Sequence, residues 1–71
     1  MIWLNYKQLK IDMHIVGFET DERYYFAPSG GMVVARIDSH HVYIRHPHGD
    51  MELLPLTTRF LYKREKGEFV V

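Results

Sequence analysis

Apolar and polar residues alternate with a period of two along most of this chain. In IDMHIVGF (11–18), Ile11, Met13 and Ile15 share one side, and Asp12, His14 and Val16 the other. MVVARID (32–38) sets Val33, Ala35 and Ile37 against Val34 and Arg36, and HVYIRH (41–46) sets Val42 and Ile44 against Tyr43 and Arg45. RYYFA (23–27) and MELL (51–54) add an aromatic run and a short apolar one. Residues two apart on a strand point the same way, so each run predicts a half-buried strand. The punctuation agrees: ETDE (19–22), PSGG (28–31) and PHGD (47–50) carry the Gly, Pro and Asp that tight turns require. Pro55 is expected to end its strand, and PLTTR to form a single 3₁₀ turn. FLYK and EFVV, either side of REKGE, read as a closing hairpin. The opening IWLNYKQL is open between a strand and a helical turn, because neither period wins over so few residues.

No segment sustains an i, i+3, i+4, i+7 stripe over three turns. Five to seven short strands with turn chemistry between them predict an all-β fold, a small antiparallel meander. In so short a chain a two-layer sandwich is not expected. The expected architecture is one bent sheet closing on itself, as in SH3-like and Tudor-like barrels, with residues 1–71 forming a single domain. The likeness is one of architecture, with no motif that names a family.

Composition narrows the picture. The 71 residues contain no cysteine, which excludes disulfides and thiolate zinc sites and fits a reducing, cytoplasmic setting. Stability must come from apolar burial, for which a 46% hydrophobic content with 14% aromatics is sufficient. No apolar run is long enough for a signal peptide or a membrane span. Nine Lys/Arg balance nine Asp/Glu, so the formal net charge is zero. Non-specific nucleic-acid binders need a positive excess to neutralise phosphates, and a neutral chain lacks it. Neutrality also removes the long-range barrier to self-association, leaving monomer and homodimer both open. The chain opens on Met1 with no linker-like stretch and is expected to be a complete small reading frame.

Four of the five histidines fall in HHVYIRHPHGD (40–50). His46, His48 and Asp50 are competent metal ligands at i, i+2, i+4, yet Pro47 and Gly49 turn the segment and break the alternation that would converge them. Solvent-facing loop histidines are the expected outcome, with no metal or other cofactor. Catalysis fares no better. Ser39 lacks a strained elbow, no glycine-rich phosphate loop precedes a helix, and the chain leaves little room for a water-excluded pocket. No enzyme is expected.

The functional expectation is a surface stripe. With Val42 and Ile44 inward, His41, Tyr43 and Arg45 point outward beside Val34 and Arg36. Tyrosine and arginine are enriched in the centres of protein interfaces, and these five residues are the expected protein-binding site. An alternative, nucleic-acid binding, rests on Tyr25 with the basic cluster Arg59, Tyr62, Lys63, Arg64 and Lys66, diluted by Glu65 and Glu68. In RYYFAP, Tyr25 is expected outward between Tyr24 and Phe26. The acidic ETDE turn and this basic cluster should give a neutral protein some charge asymmetry. Trp3 reads equally as core plug and interface anchor. The sequence thus points to a non-enzymatic protein-binding module, an adaptor or an inhibitor of a larger enzyme or complex. Phages and mobile elements make many small inhibitors of that kind, which is a statement about the class alone.

Overall fold

The computed structural model describes residues 1–65. The chain is all β, with eight strands among the described residues: β1 (Ile2–Leu4), β2 (His14–Ile15), β3 (Gly17–Glu19), β4 (Tyr24–Phe26), β5 (Met32–Ile37), β6 (His41–Arg45), β7 (Met51–Pro55) and β8 (Arg59–Tyr62). They form two antiparallel four-stranded sheets, ordered β1-β8-β3-β4 and β2-β5-β6-β7. Neither sheet closes into a barrel. The expected single closing sheet is replaced by two open ones, made possible because β2 and β3 are a continuous run that changes sheet at Val16. There the Val16 N–H donates to the Leu61 carbonyl (2.9 Å), and the Val16 carbonyl accepts from the Ala27 N–H (2.7 Å).

One core serves both sheets. Leu4, Phe18 and Phe60 from the first sheet meet Ile15, Met32, Val34, Val42, Ile44 and Leu54 from the second, with Leu9 beside them. Burial of these side chains is the main favourable term for a chain without covalent staples.

Besides Val16, buried where the chain changes sheet, the alternation read from sequence fails at two places, each with a local cause. Ile11 is exposed, because Lys10–Met13 forms a turn (Met13 N–H to Lys10 carbonyl, 3.0 Å) with Asp12 in the left-handed region at φ 73°. The second failure is a β-bulge in β5. Val34 pairs with Ile44 and Arg36 with Tyr43, so Ala35 is an extra residue with no opposite number. A bulge shifts the in–out parity of the strand by one residue. Val34, expected outward, is therefore fully buried, while Val33, expected in the core, lies half-buried beside Arg45. Arg36 and Ile37, beyond the bulge, keep their expected sides.

IWLNYKQL holds both of its alternatives. β1 is followed by a 3₁₀ turn at Tyr6–Gln8, capped by Asn5, whose side chain accepts from the Lys7 N–H (2.9 Å) while Gln8 Oε1 accepts from the Asn5 N–H (3.0 Å). β7 runs to Pro55, tolerated because β7 is an edge strand, and the following turn closes with the Thr58 N–H on the Pro55 carbonyl (3.0 Å). β8 lies between β1 and β3. The EFVV half of the expected closing hairpin lies outside the described residues.

Gly17 is required by a close approach between strands. A Cβ there would stand 2.6 Å from the Tyr25 carbonyl oxygen and 3.4 Å from the Phe26 ring. Among the described residues no helix is long and apolar enough to cross a membrane.

Candidate functional site

The outer face of β5, β6 and β7 is set by two constraints: the buried side of β6 (Val42, Ile44) and the bulge in β5. Together they bring Arg36, Tyr43 and Leu53 into one cross-strand row, and Val33, Arg45 and Met51 into the next. His41 lies opposite Pro55 in a third. Four of the five stripe residues expected from the sequence (Arg36, His41, Tyr43 and Arg45) thus share this face, and Val34 does not. The residues that sequence reasoning missed are Leu53 and Met51, which are 50% and 48% exposed. The signal was available, since in MELL the positions flanking Glu52 and alternating with Leu54 must point away from the core.

Tyr43 is held in place. Its hydroxyl donates to Asp38 Oδ2 (2.9 Å), the Arg36 guanidinium stands 5.3 Å from its ring centroid, and the His41 ring meets it edge-on at 6.3 Å. Asp38 closes the β5–β6 turn, accepting from the His40 and His41 backbone N–H groups at 2.8 Å each. Those two bonds, then the Tyr43 hydroxyl, hold its carboxyl at about 2 against the ordinary 3.8, with Arg36 adding a small pull in the same direction. The same contact, seen from the phenol, pushes Tyr43 up, with burial adding to it. Arg36 reaches Asp38 only at 3.8 Å, and Arg45 has no ion pair among the described residues. The face therefore offers a fixed aromatic, two cations and apolar side chains.

A second candidate is the cleft of about 560 Å³ between edge strands β4 and β7, lined by Arg23, Tyr25, His46, His48, Asp50 and Glu52. Its groups are engaged with one another. Glu52, pointing inward from β7, accepts from the Arg23 guanidinium and bonds His46 Nε2 (2.8 Å), while His48 meets Asp50 at 3.0 Å. His46, expected in solvent, is nearly covered, because Tyr25 packs edge-on against its ring. An inward charge on an edge strand also discourages pairing with stray strands. Among the described residues no three His, Cys, Asp or Glu side chains are grouped to hold a metal ion.

Among the described residues the alternative nucleic-acid set is not brought together on one face. Tyr25, expected outward, stacks on buried Phe18 (5.5 Å, 30°), while Arg59 lies on the opposite face of that sheet, over the Trp3 ring. Tyr62 packs against the core, Lys63 and Arg64 follow β8 in exposed positions, and Lys66 lies outside the described residues. Glu19 of the ETDE turn and Arg59 of the basic cluster are cross-strand partners joined by an ion pair. On β4, Tyr24 and Phe26 lie on the outer face, while Tyr25, still 41% exposed, lies on the Phe18 side. Against known proteins, the chain matches no family model, no curated protein and no solved structure.

Proposed function

We propose that this protein is a non-enzymatic module that binds another protein through the outer face of β5–β7. The observation that carries the reading is the Asp38–Tyr43–Arg36 arrangement, which fixes a large aromatic beside half-exposed Leu53 and Met51 and beside Arg45, which has no ion pair among the described residues. Rigid aromatic area and arginine supply much of the energy in interface centres, and pre-ordering lowers the entropic cost of binding. The face carries Arg36 and Arg45, and the carboxylate beside them, Asp38, is tied up in the turn. By charge complementarity its partner presents acidic side chains around an apolar spot. An adaptor or an inhibitor of a larger enzyme works through such a face and needs no catalytic group. The order of strands, with the chain crossing from one sheet to the other at Val16, supports an SH3-like topology, and the absence of cysteine supports a cytoplasmic setting.

The test is capture from lysate with mass spectrometry, run in parallel with wild type, Tyr43→Ala and Arg45→Glu. A partner with an acidic surface that is retained by wild type and lost by both variants supports the reading. Equal retention by all three places the site elsewhere. Strong retention of wild type on heparin at moderate salt favours nucleic acid instead.

A further inference from the structure

The outer face of the other sheet carries an aromatic patch that the proposed partner face does not use. The register places Trp3, Leu61, Gly17 and Phe26 in one row across β1, β8, β3 and β4, with Arg59, Glu19 and Tyr24 in the next. Trp3, Tyr24 and Phe26 are 38%, 54% and 42% exposed. Trp3 and Tyr24 meet edge-on at 6.2 Å, the Arg59 guanidinium stands 4.5 Å from the Trp3 ring centroid, and Phe26 leans over the bare backbone of Gly17. Aromatic side chains carry about 150–250 Å² each, so the three rings expose on the order of 300 Å². That matches the largest apolar patch of a typical monomer, about 300–600 Å², which is often functional.

The charges on this face say what covers it. Arg59 and Glu19 lie side by side on β8 and β3 and pair with each other, so among the described residues the cation beside the rings is balanced by an anion. A nucleic acid would have to meet Glu19 as well as Arg59, which cancels the phosphate attraction. A second copy of the same face suits it. Turned about a two-fold axis, it sets Arg59 of one molecule over Glu19 of the other, and the rings over rings. Isologous contacts demand this self-complementarity, and the zero net charge of the chain adds no repulsion.

We propose that the protein self-associates into a two-fold dimer through the outer face of β1, β8, β3 and β4, with Trp3, Tyr24 and Phe26 at its centre and Arg59 crossing to Glu19 of the second copy. The apolar centre falls well short of the roughly 800 Å² per partner of a standard interface, so the dimer is weak. The outer face of β5–β7 points away from the shared core and stays free in both copies. The dimer is then bivalent for its partner and gains by effective concentration.

The test uses charge reversal across the two-fold. Wild type should approach twice its 8.5 kDa mass in sedimentation as concentration rises from about 1 µM to 1 mM, the range in which weak interfaces assemble. Emission from Trp3, the single tryptophan, should shift to the blue in step. Glu19→Arg alone and Arg59→Glu alone should each remain monomeric, since each puts like charges face to face. Mixed in equal amounts, the two should form a heterodimer, which a purely intramolecular Glu19–Arg59 pair does not produce. Circular dichroism confirms that each is folded, and Tyr24→Ser, at an exposed edge position, provides a second monomeric variant should either fail to fold. A wild type that stays monomeric throughout overturns the proposal, as does a mixture that does not associate. So does Trp3 emission that answers to oligothymidylate and not to protein concentration, which assigns the face to nucleic acid. Partner binding at β5–β7 does not enter these measurements, so the two proposals fail separately.

Discussion

The two outer faces of this protein use the same kinds of residue and treat their charges differently. On the β1-β8-β3-β4 sheet, Arg59 lies on Trp3 and is neutralised by Glu19 one strand away. On the β5–β7 face, Arg36 lies on Tyr43, but the nearby carboxylate of Asp38 is bound to two backbone N–H groups and a phenol, and Arg45 has no ion pair among the described residues. The first face balances its charge within itself and suits a copy of itself. The second exports positive charge and suits something acidic. What separates them is the placement of one carboxylate: Glu19 sits across from its arginine in a strand pair, and Asp38 sits in a turn where the backbone claims it first.

Both faces depend on the core that holds the sheets together, and its loss gives the largest expected effect. Ile44→Ala removes a fully buried side chain opposite Val34 and should cost about 2–5 kcal/mol by chemical denaturation. A near-neutral result would mean that Val34 and Ile44 face outward and that the bulge at Ala35 is misplaced.

The next expected effect separates the faces in function. Tyr43→Ala should weaken partner binding by about 2 kcal/mol or more while changing stability by about 1 kcal/mol or less. Lys63→Ala, at an exposed position beyond β8, should change affinity by well under about 1 kcal/mol if its charge is simply solvated. Isothermal titration with the captured partner decides. The reverse ranking would move the site away from β5–β7.

Much of this was legible in the sequence. Alternation and turn chemistry predicted strands near the right places, and the parity of HVYIRH put His41, Tyr43 and Arg45 outward as observed. The errors share a physical cause, because strict alternation assumes an uninterrupted ladder. Ala35 bulges, and Val34 turns inward. Val16 carries the chain from one sheet to the other and is buried along with its neighbours. Tyr25 stacks on Phe18 because the register of β3 with β4, invisible in sequence, sets which aromatic faces in. The pairing of Glu19 with Arg59 spans forty residues and is a property of topology alone.

A third expected effect probes the aromatic face through its backbone. Gly17→Ala sets a methyl group against the Tyr25 carbonyl oxygen and the Phe26 ring. Because a backbone atom cannot swing aside as a side chain can, the substitution should cost about 1–3 kcal/mol, the usual range for overpacking. It should also splay β4 from β3, altering Trp3 emission through Tyr24. An unchanged melting temperature would show that β4 is free to drift, and that the aromatic patch is less fixed than the β5–β7 face.

Smaller still is the effect expected at the junction between the sheets. Thr58 is almost fully buried in the turn from β7 to β8, and its hydroxyl has no partner among the described residues. Replacing an unsatisfied buried hydroxyl with a methyl group of the same shape removes a desolvation cost, so Thr58→Val should be neutral or stabilising by about 1 kcal/mol. Clear destabilisation would reveal a partner for the hydroxyl.

The smallest expected effect is one of slope, and it isolates the carboxylate that distinguishes the faces. Asp38 titrates at about 2 in the folded chain against an ordinary 3.8. A depressed carboxyl contributes stability that is fully present above the unfolded value and is lost as pH falls through the folded one. Its share of the acid unfolding should therefore appear between pH 3.8 and about 2. Asp38→Asn abolishes that titration, so wild type should be the more stable at neutral pH and the difference should shrink as pH falls toward 2. Glu19→Gln serves as the contrast on the other face. Its partner Arg59 is exposed, and an exposed ion pair contributes little, so it should leave the acid limb of the stability curve nearly parallel to that of wild type. If Asp38→Asn also runs parallel, the turn does not hold the charged carboxylate as described. Tyr43 would then lose the anchor that makes the β5–β7 face rigid, and the contrast between the two faces would reduce to their aromatic content.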